Sequence, residues 1–299
     1  MTLTTTEPRH GADGHAIKQD DEVERIKNTE APALFSLPDR SVIVTGATGG
    51  MGLSVTRAIL QSGADVIAID RGQAPTTPAW VQLQAEATKR HRTLTYYPCD
   101  ISDLEATTSV FRNAVAASRF PLRGLVNCAG IGWLGDTIDF PLDDARRILD
   151  VNLVGTLVCA QAGAKLVREH GLSASFVFIA SMSGYVVNKG APNAVYAASK
   201  AGVQQLARNL AAEWGSAKEG EAPAAPIRIN TVSPGVIRTP MTAGILGDKR
   251  LDDMWTDMSM LKRLAEPEDF RGPIVFLLSD ASGYVTGTDL LVDAGYTSW

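Results

Sequence analysis

Hydrophobic positions fall into short β-branched runs separated by longer stretches of helical spacing, beginning near residue 41. The first run, Ser41-Val42-Ile43-Val44-Thr45, stops at a glycine cluster and predicts a strand buried on both faces. Residues 53–62 carry apolar side chains at helical spacing and halt at Gly63, a natural C-terminal cap. A second strand is predicted at 65–70, an amphipathic helix at 78–91 and a third strand at 93–99. Ser102-Asp103-Leu104-Glu105 is a capping box that opens a helix to about residue 118. Further strands are predicted at 124–127, 175–180, 227–232 and 290–292, with long helical patterns at 141–169, 194–214 and 267–279. Such alternation predicts an α/β chain with a parallel sheet of about seven strands, helices covering both faces. No linker divides 38–299, so one doubly wound domain is expected there.

Three stretches break the pattern. Residues 1–37 are polar, with few large apolar side chains, and predict a flexible N-terminal extension; an arm laid on a neighbouring subunit is the alternative. They carry neither the apolar core of a secretory signal nor the Arg-rich, acid-poor pattern of a mitochondrial presequence. Residues 216–226, rich in small, charged and proline residues, predict a surface loop. Residues 241–262 contain Trp255 and Met241, Met254, Met258 and Met260. They fit either a packed connecting helix or a lid over a substrate.

Composition narrows the class. The 299 residues carry 28 Lys and Arg against 33 Asp and Glu, a net charge of −5 that argues against a nucleic-acid partner. No apolar run approaches the roughly 20 residues of a membrane helix. Three cysteines without CxxC spacing argue against a disulfide framework or a zinc ribbon, and no cluster has metal-ligand spacing, so no metal is expected. The four histidines lie outside every motif, which removes a His-based hydrolase triad. A soluble, cytoplasmic protein is expected.

Chemistry enters at the first strand–helix junction, Thr45-Gly46-Ala47-Thr48-Gly49-Gly50-Met51-Gly52. Glycines there permit a tight turn, close approach of phosphate oxygens and contact of helix with strand. The helix start offers free N–H groups and a positive dipole end to a pyrophosphate. Asp70 closes the second strand, where a carboxylate can accept hydrogen bonds from an adenosine ribose and would repel a 2′-phosphate. NAD is therefore expected over NADP, with Arg71 partly offsetting that repulsion.

Tyr196 and Lys200 stand four residues apart on a predicted helix and share a face. A unit charge about 4 Å from the phenol, at an effective dielectric of ~20, would favour the phenolate by up to about 4 kcal/mol. That would draw a group with a pKa near 10 towards general acid–base work.

Taken together, the glycine turn, Asp100-Ile101, Asn127-Cys128-Ala129-Gly130, Asn152, Ser181, the Tyr196–Lys200 pair and Pro234-Gly235-Val236-Ile237-Arg238-Thr239 resemble the short-chain dehydrogenase/reductase family, over about residues 38–299. The resemblance implies a Rossmann-type fold, a nicotinamide cofactor and hydride transfer at a carbinol or carbonyl carbon. It implies Tyr196 as acid/base, Lys200 lowering its pKa and holding the nicotinamide ribose, Ser181 bonding the substrate oxygen, and Asn152 holding a relay water. Asp100 and Ile101 would flank adenine, Asn127, Ala129 and Gly130 would line the ribose, and Pro234, Gly235, Ile237 and Thr239 would border the carboxamide. Homotetramers or dimers that pair the long helices are also implied.

The sequence departs from the family pattern twice. Cys128 replaces the usual second asparagine, and Ser181 precedes Tyr196 by 15 positions where about 13 is usual, a spacing that Ser183 has. Ser181 is preferred because it directly follows the apolar strand, with Ser183 as the alternative. Ser181 to Asn188 and the ending Asp293-Ala294-Gly295-Tyr296 resemble the polyol and ketose dehydrogenases of the family. Trp133, Ser183, Tyr185, Asn188 and Met241 are candidate substrate residues. The expected activity is NAD(H)-dependent interconversion of a secondary alcohol and a ketone, a polyol and ketose being the first candidates. A bulkier alicyclic or polyketide-like alcohol is the alternative, and a non-catalytic dinucleotide-binding scaffold a more remote one. A nucleotide-sugar epimerase fits poorly, because its glycine spacing and larger C-terminal part differ.

Overall fold

The computed structural model describes residues 24–216 and 225–299. Residues 1–23 of the expected extension and most of the expected 216–226 loop lie outside the described residues. Seven parallel strands make one sheet: β1 (Ser41–Thr45), β2 (Asp65–Asp70), β3 (Leu94–Pro98), β4 (Leu122–Asn127), β5 (Ala174–Ile179), β6 (Ile227–Pro234) and β7 (Asp289–Val292). Their order is β3-β2-β1-β4-β5-β6-β7, so the winding direction reverses between β1 and β4. In open α/β sheets, ligands collect at the carboxyl ends of the strands beside that reversal.

The five inner strands are buried on both faces while the edge strands β3 and β7 are only half-buried, and the alternation of the inner strands feeds two cores. Ile43, Leu125, Phe176, Phe178 and Ile229 point to one side, where they meet Phe111, Leu166, Val203 and Leu210. Val42, Val44, Val126, Val177 and Val232 point to the other and meet Val55, Ile59, Leu83, Ile274 and Leu277. Successive residues of a strand face opposite ways, which is why Phe176 and Val177 belong to different cores. Each such side chain contributes about 1.5–3 kcal/mol by leaving water.

The helices are α1 (Gly50–Gln61), α2 (Pro78–Lys89), α3 (Leu104–Ala116), α4 (Leu142–Leu149), α5 (Gly155–Glu169), α6 (Ala194–Trp214), α7 (Pro240–Leu246), α8 (Lys249–Met258) and α9 (Arg271–Leu278). The long pattern at 141–169 is not uniform: a π turn at Asp150–Val154 joins α4 to α5. Such turns often mark functional sites, and this one carries Asn152.

The extension boundary expected at 37 needs correction. Residues 24–27 form a helical turn and Ala31–Phe35 a 3-10 turn. Arg25 pairs with Asp280, and Leu37 is fully buried with its N–H donating to Ser62 O at 2.7 Å. An apolar anchor and an ion pair fix 24–37 to the body of the same chain.

The 241–262 stretch also divides. In α8, Leu251 and Trp255 are buried in a third core with Met182, Ala191, Leu264 and Tyr296. The Trp255 indole N–H donates to Lys189 O at 2.9 Å. A packed connecting helix describes α8. By contrast α7 has no buried residue and lies over the cleft described next.

Candidate active site

A cleft of about 400 Å³ opens at the carboxyl end of the sheet beside the reversal. It runs continuously from the glycine turn to Tyr196 and Lys200. Gly46, Gly49, Gly50, Met51 and Gly52 form one end. Gly46 has φ +62°, and a Cβ there would lie 2.7 Å from Ala129 N. A Cβ on Gly52 would lie 2.0 Å from Gly46 O, so only glycine lets α1 start this close to the turn. No side chain caps α1, which leaves its first N–H groups for an anion.

Asp70 and Arg71 line the cleft beside this turn. Thr48 does not line it. Instead its N–H and hydroxyl donate to Asp70 Oδ2 at 3.0 and 2.6 Å, and the Arg71 N–H donates to Oδ1 at 2.8 Å. Thr48 thus fixes the acidic side chain on which cofactor choice depends.

Asp100 and Ile101 form the next part of the wall. Arg147, which the motifs gave no reason to expect, donates from α4 to Asp100 Oδ2 at 2.5 Å and also lines the cleft. Burial works to raise the Asp100 carboxyl, but hydrogen bonds from Arg147 and Ser102 outweigh it and hold it below the usual carboxylate value.

Asn127 requires a correction. Only 2% exposed, it accepts from the Thr45 hydroxyl and donates to Thr156 Oγ1 at 2.8 Å. It ties β1 and β4 to α5 and does not reach the cleft, whereas Cys128, Ala129 and Gly130 do. Burial raises the Cys128 thiol to about 12, so it stays protonated and behaves as a small apolar side chain.

At the inner end, α6 presents Tyr196 and Lys200 on one face. The Lys200 ammonium donates to Ile179 O at 2.8 Å and lies 5.7 Å from the centre of the Tyr196 ring. Burial lowers Lys200 to about 8, against a weaker opposing pull from Cys128. Burial likewise raises the Tyr196 phenol, and a hydrogen bond with Ser181 offsets part of that rise. The expected lowering of Tyr196 by Lys200 is therefore not found in the free protein. Desolvation disfavours phenolate and ammonium alike, and the ammonium is turned to a backbone carbonyl.

Both candidate serines line the cleft and bond each other, the Ser181 hydroxyl donating to Ser183 Oγ at 3.1 Å. Of the two, Ser181 is the one whose hydrogen bonding lowers the Tyr196 phenol, and the Ser183 N–H donates to Ser181 Oγ at 3.1 Å. Asn152 is not on the cleft wall. Its Oδ1 accepts from Ile131 N at 2.9 Å, and its Nδ2 donates to Ile131 O at 2.9 Å and Ser199 Oγ at 3.0 Å. With both amide protons engaged, the side chain acts as a brace behind Gly130 and Lys200, and nothing places it as the holder of a relay water.

Beyond this group, Trp133, Ser183, Asn188 and Met241 line the cleft as expected, together with Pro234, Gly235, Ile237 and Thr239. Tyr185 does not line it; its hydroxyl donates to Asp289 Oδ2 at 2.8 Å, towards β7. Leu134, Asn193 and Ile245 also line it without having been singled out in the sequence, as does Trp255 from the 241–262 stretch. The reading of 241–262 as a connecting helix or substrate lid offered the only signal for Ile245 and Trp255. Among the described residues no three His, Cys, Asp or Glu side chains converge on a metal site, and no helix is long and apolar enough to cross a membrane.

Residues 46–297 match a family model described as enoyl-(acyl carrier protein) reductase. The chain belongs to the short-chain dehydrogenase/reductase family. It is 43% identical over 266 residues to a short-chain dehydrogenase/reductase notP′ of Aspergillus versicolor, covering 89% of this chain and 90% of the relative. It is 36% identical over 274 residues to an NADH-dependent L-xylulose reductase of Ambrosiozyma monospora, covering 89% and 97%. A short-chain dehydrogenase/reductase structure from Mycobacterium marinum superposes with TM-score 0.80 at 29% identity, covering 90% of this chain and 99% of the other. The protein is thus a Rossmann-fold oxidoreductase of the alcohol dehydrogenase and ketone reductase type, a family that uses nicotinamide dinucleotides.

Proposed function

We propose that this short-chain dehydrogenase/reductase interconverts a secondary alcohol and a ketone with NAD(H), a polyol and its ketose being the first candidates. The observation that carries this reading is the Ser181–Tyr196 contact at the inner end of a cleft that starts at the glycine turn. The residues present fit the dinucleotide. Uncapped N–H groups of α1 would take the pyrophosphate, Asp70 the adenosine ribose, and Asp100 with Ile101 the adenine. Lys200 would hold the nicotinamide ribose, and Ile237 with Thr239 the carboxamide. Bound there, the nicotinamide supplies or accepts the hydride.

The protein's own side chains handle the proton. In the reducing direction Tyr196 Oη gives its proton to the ketone oxygen, which the Ser181 hydroxyl orients. A phenol that burial keeps protonated is suited to that step. In the oxidising direction the phenol must lose its proton first, and the positive charge of Lys200 assists when it is protonated. Asn152 acts as a positioning residue through Ile131 and Ser199. The Asp70 carboxylate, held by Thr48, would repel a 2′-phosphate and so favours NAD over NADP.

A second reading, a bulkier alicyclic or polyketide-like alcohol, is favoured by the apolar wall of Trp133, Leu134, Met241, Ile245 and Trp255. Absorbance at 340 nm with NADH and a panel of ketoses and cyclic ketones tests the activity. Oxidation of NADH by at least one ketone is expected; silence across the panel would favour a dinucleotide-binding scaffold. Exposed Leu142, Leu149 and Val154 along α4 and the π turn support pairing of this helix between subunits.

A further inference from the structure

Asn188 stands on the substrate wall of the cleft with 9% of its surface exposed, and its Oδ1 has no hydrogen-bond partner. An unmet acceptor inside a protein costs about 1–3 kcal/mol, and folded chains carry few of them. The other unmet buried atoms, on Thr56, Arg57 and Tyr296, belong to residues that do not line the cleft. Among the described residues, only at Asn188 does an unmet acceptor coincide with space for a ligand.

The surroundings sharpen the point. Met182, Ala191, Ile245 and Trp255 line the same part of the fold and are apolar at their contact surfaces. The loop bearing Asn188 is held in place. Asn188 O accepts from Ala191 N at 3.1 Å, and the next residue's carbonyl, Lys189 O, accepts from the Trp255 indole at 2.9 Å. Gly190 closes the loop with φ +81°, where a Cβ would lie 2.8 Å from Leu251 Cδ2. A fixed amide in an apolar wall loses little entropy when it bonds a ligand.

We infer that Asn188 is the specificity-determining residue of the substrate half of the cleft. Its amide oxygen accepts a hydrogen bond from a hydroxyl or N–H that the substrate carries away from the reacting carbon. The substrate class is therefore a ketone or secondary alcohol with at least one further donor, as in a polyhydroxylated 2-ketose. This rests on the hydride-transfer reading above, and the test keeps the two apart.

L-Xylulose and 2-pentanone share a five-carbon skeleton and differ in their hydroxyl groups. Both are compared as substrates at 340 nm, and as ligands of the NAD-loaded protein by quenching of tryptophan fluorescence. The wild type should prefer the ketose. Asn188→Leu, close to isosteric, should lower kcat/KM and affinity for L-xylulose by about 10- to 100-fold, mainly through KM, and so lower the ratio of ketose to 2-pentanone in both readouts. Asn188→Asp, which keeps an acceptor, should recover part of the loss. An unchanged ketose-to-ketone ratio in Asn188→Leu, or a wild type indifferent to the pair in both readouts, overturns the inference. Asn188-dependent binding without any turnover would overturn the hydride-transfer reading and leave this one standing.

Discussion

The hydroxyl of Ser181 meets the phenol of Tyr196, while Ser183, two residues on, gives its backbone N–H to that same hydroxyl at 3.1 Å. The serine nearer to the usual sequence spacing therefore supports the one that touches the acid. Ser181→Ala should lower kcat/KM for ketone reduction by about 10²-fold or more, as loss of a donor aimed at a reacting oxygen does. Ser183→Ala keeps the supporting N–H and should cost less than tenfold, taking the low end of the hydrogen-bond scale. Steady-state kinetics of the two variants decides the assignment, and the reverse ranking would transfer the role to Ser183.

Lys200 titrates in the folded protein at about 8, well below its value of ~10.4 in an unfolded chain. Between those two values the unfolded chain binds more protons, so this group makes stability rise with pH. Below about pH 8 the full cost of burying the ammonium is present, and it is relieved as pH climbs through that value. Urea unfolding at pH 7.5 and 9.5 should show the wild type gaining roughly 2 kcal/mol relative to Lys200→Met. Parallel changes in both proteins would show that Lys200 keeps its unfolded-chain pKa in the folded state and that burial does not lower it.

Thr48 and Asp70 act as one unit at the adenosine end, joined by bonds of 3.0 and 2.6 Å. Asp70→Ala should weaken NAD binding by about tenfold or more, by loss of a charge-assisted bond, and bring NADP towards parity. Thr48→Val removes only the hydroxyl and should produce a smaller shift in the same direction. Ratios of kcat/KM for the two cofactors measure both, and an unchanged ratio in Asp70→Ala would remove this carboxylate from cofactor selection.

Much of this was legible because it depends on period and spacing. Runs such as 41–45 and 65–70 read as buried strands, and a four-residue interval placed Tyr196 and Lys200 on one helix face. Contacts between distant segments were not legible. Asn127 lies inside a motif but bonds Thr45 on β1 and Thr156 on α5, and Tyr185 turns to Asp289, 104 positions away. Arg147 reaches Asp100 from α4, 47 positions along the chain. The pKa directions of Tyr196 and Lys200 were not legible for a related reason: helix spacing gives their proximity, but the rest of the fold supplies the burial that moves both.

Leu149 and Val154 are 37% and 44% exposed on the helix that the family resemblance assigns to subunit pairing. Light scattering at micromolar concentration should give a dimer or tetramer. Leu149→Glu combined with Val154→Glu should shift the protein towards monomer. A monomeric wild type would remove the interface.

In the proposed reaction the Tyr196 phenol moves the proton that accompanies hydride transfer. The most direct test is Tyr196→Phe, assayed for NADH binding by fluorescence and for NADH-dependent ketone reduction at 340 nm. Binding should stay within a few-fold of wild type while kcat falls by about 10²- to 10⁴-fold, the usual worth of a general acid. A phenylalanine variant that still reduced the ketone at near wild-type rate would contradict the account.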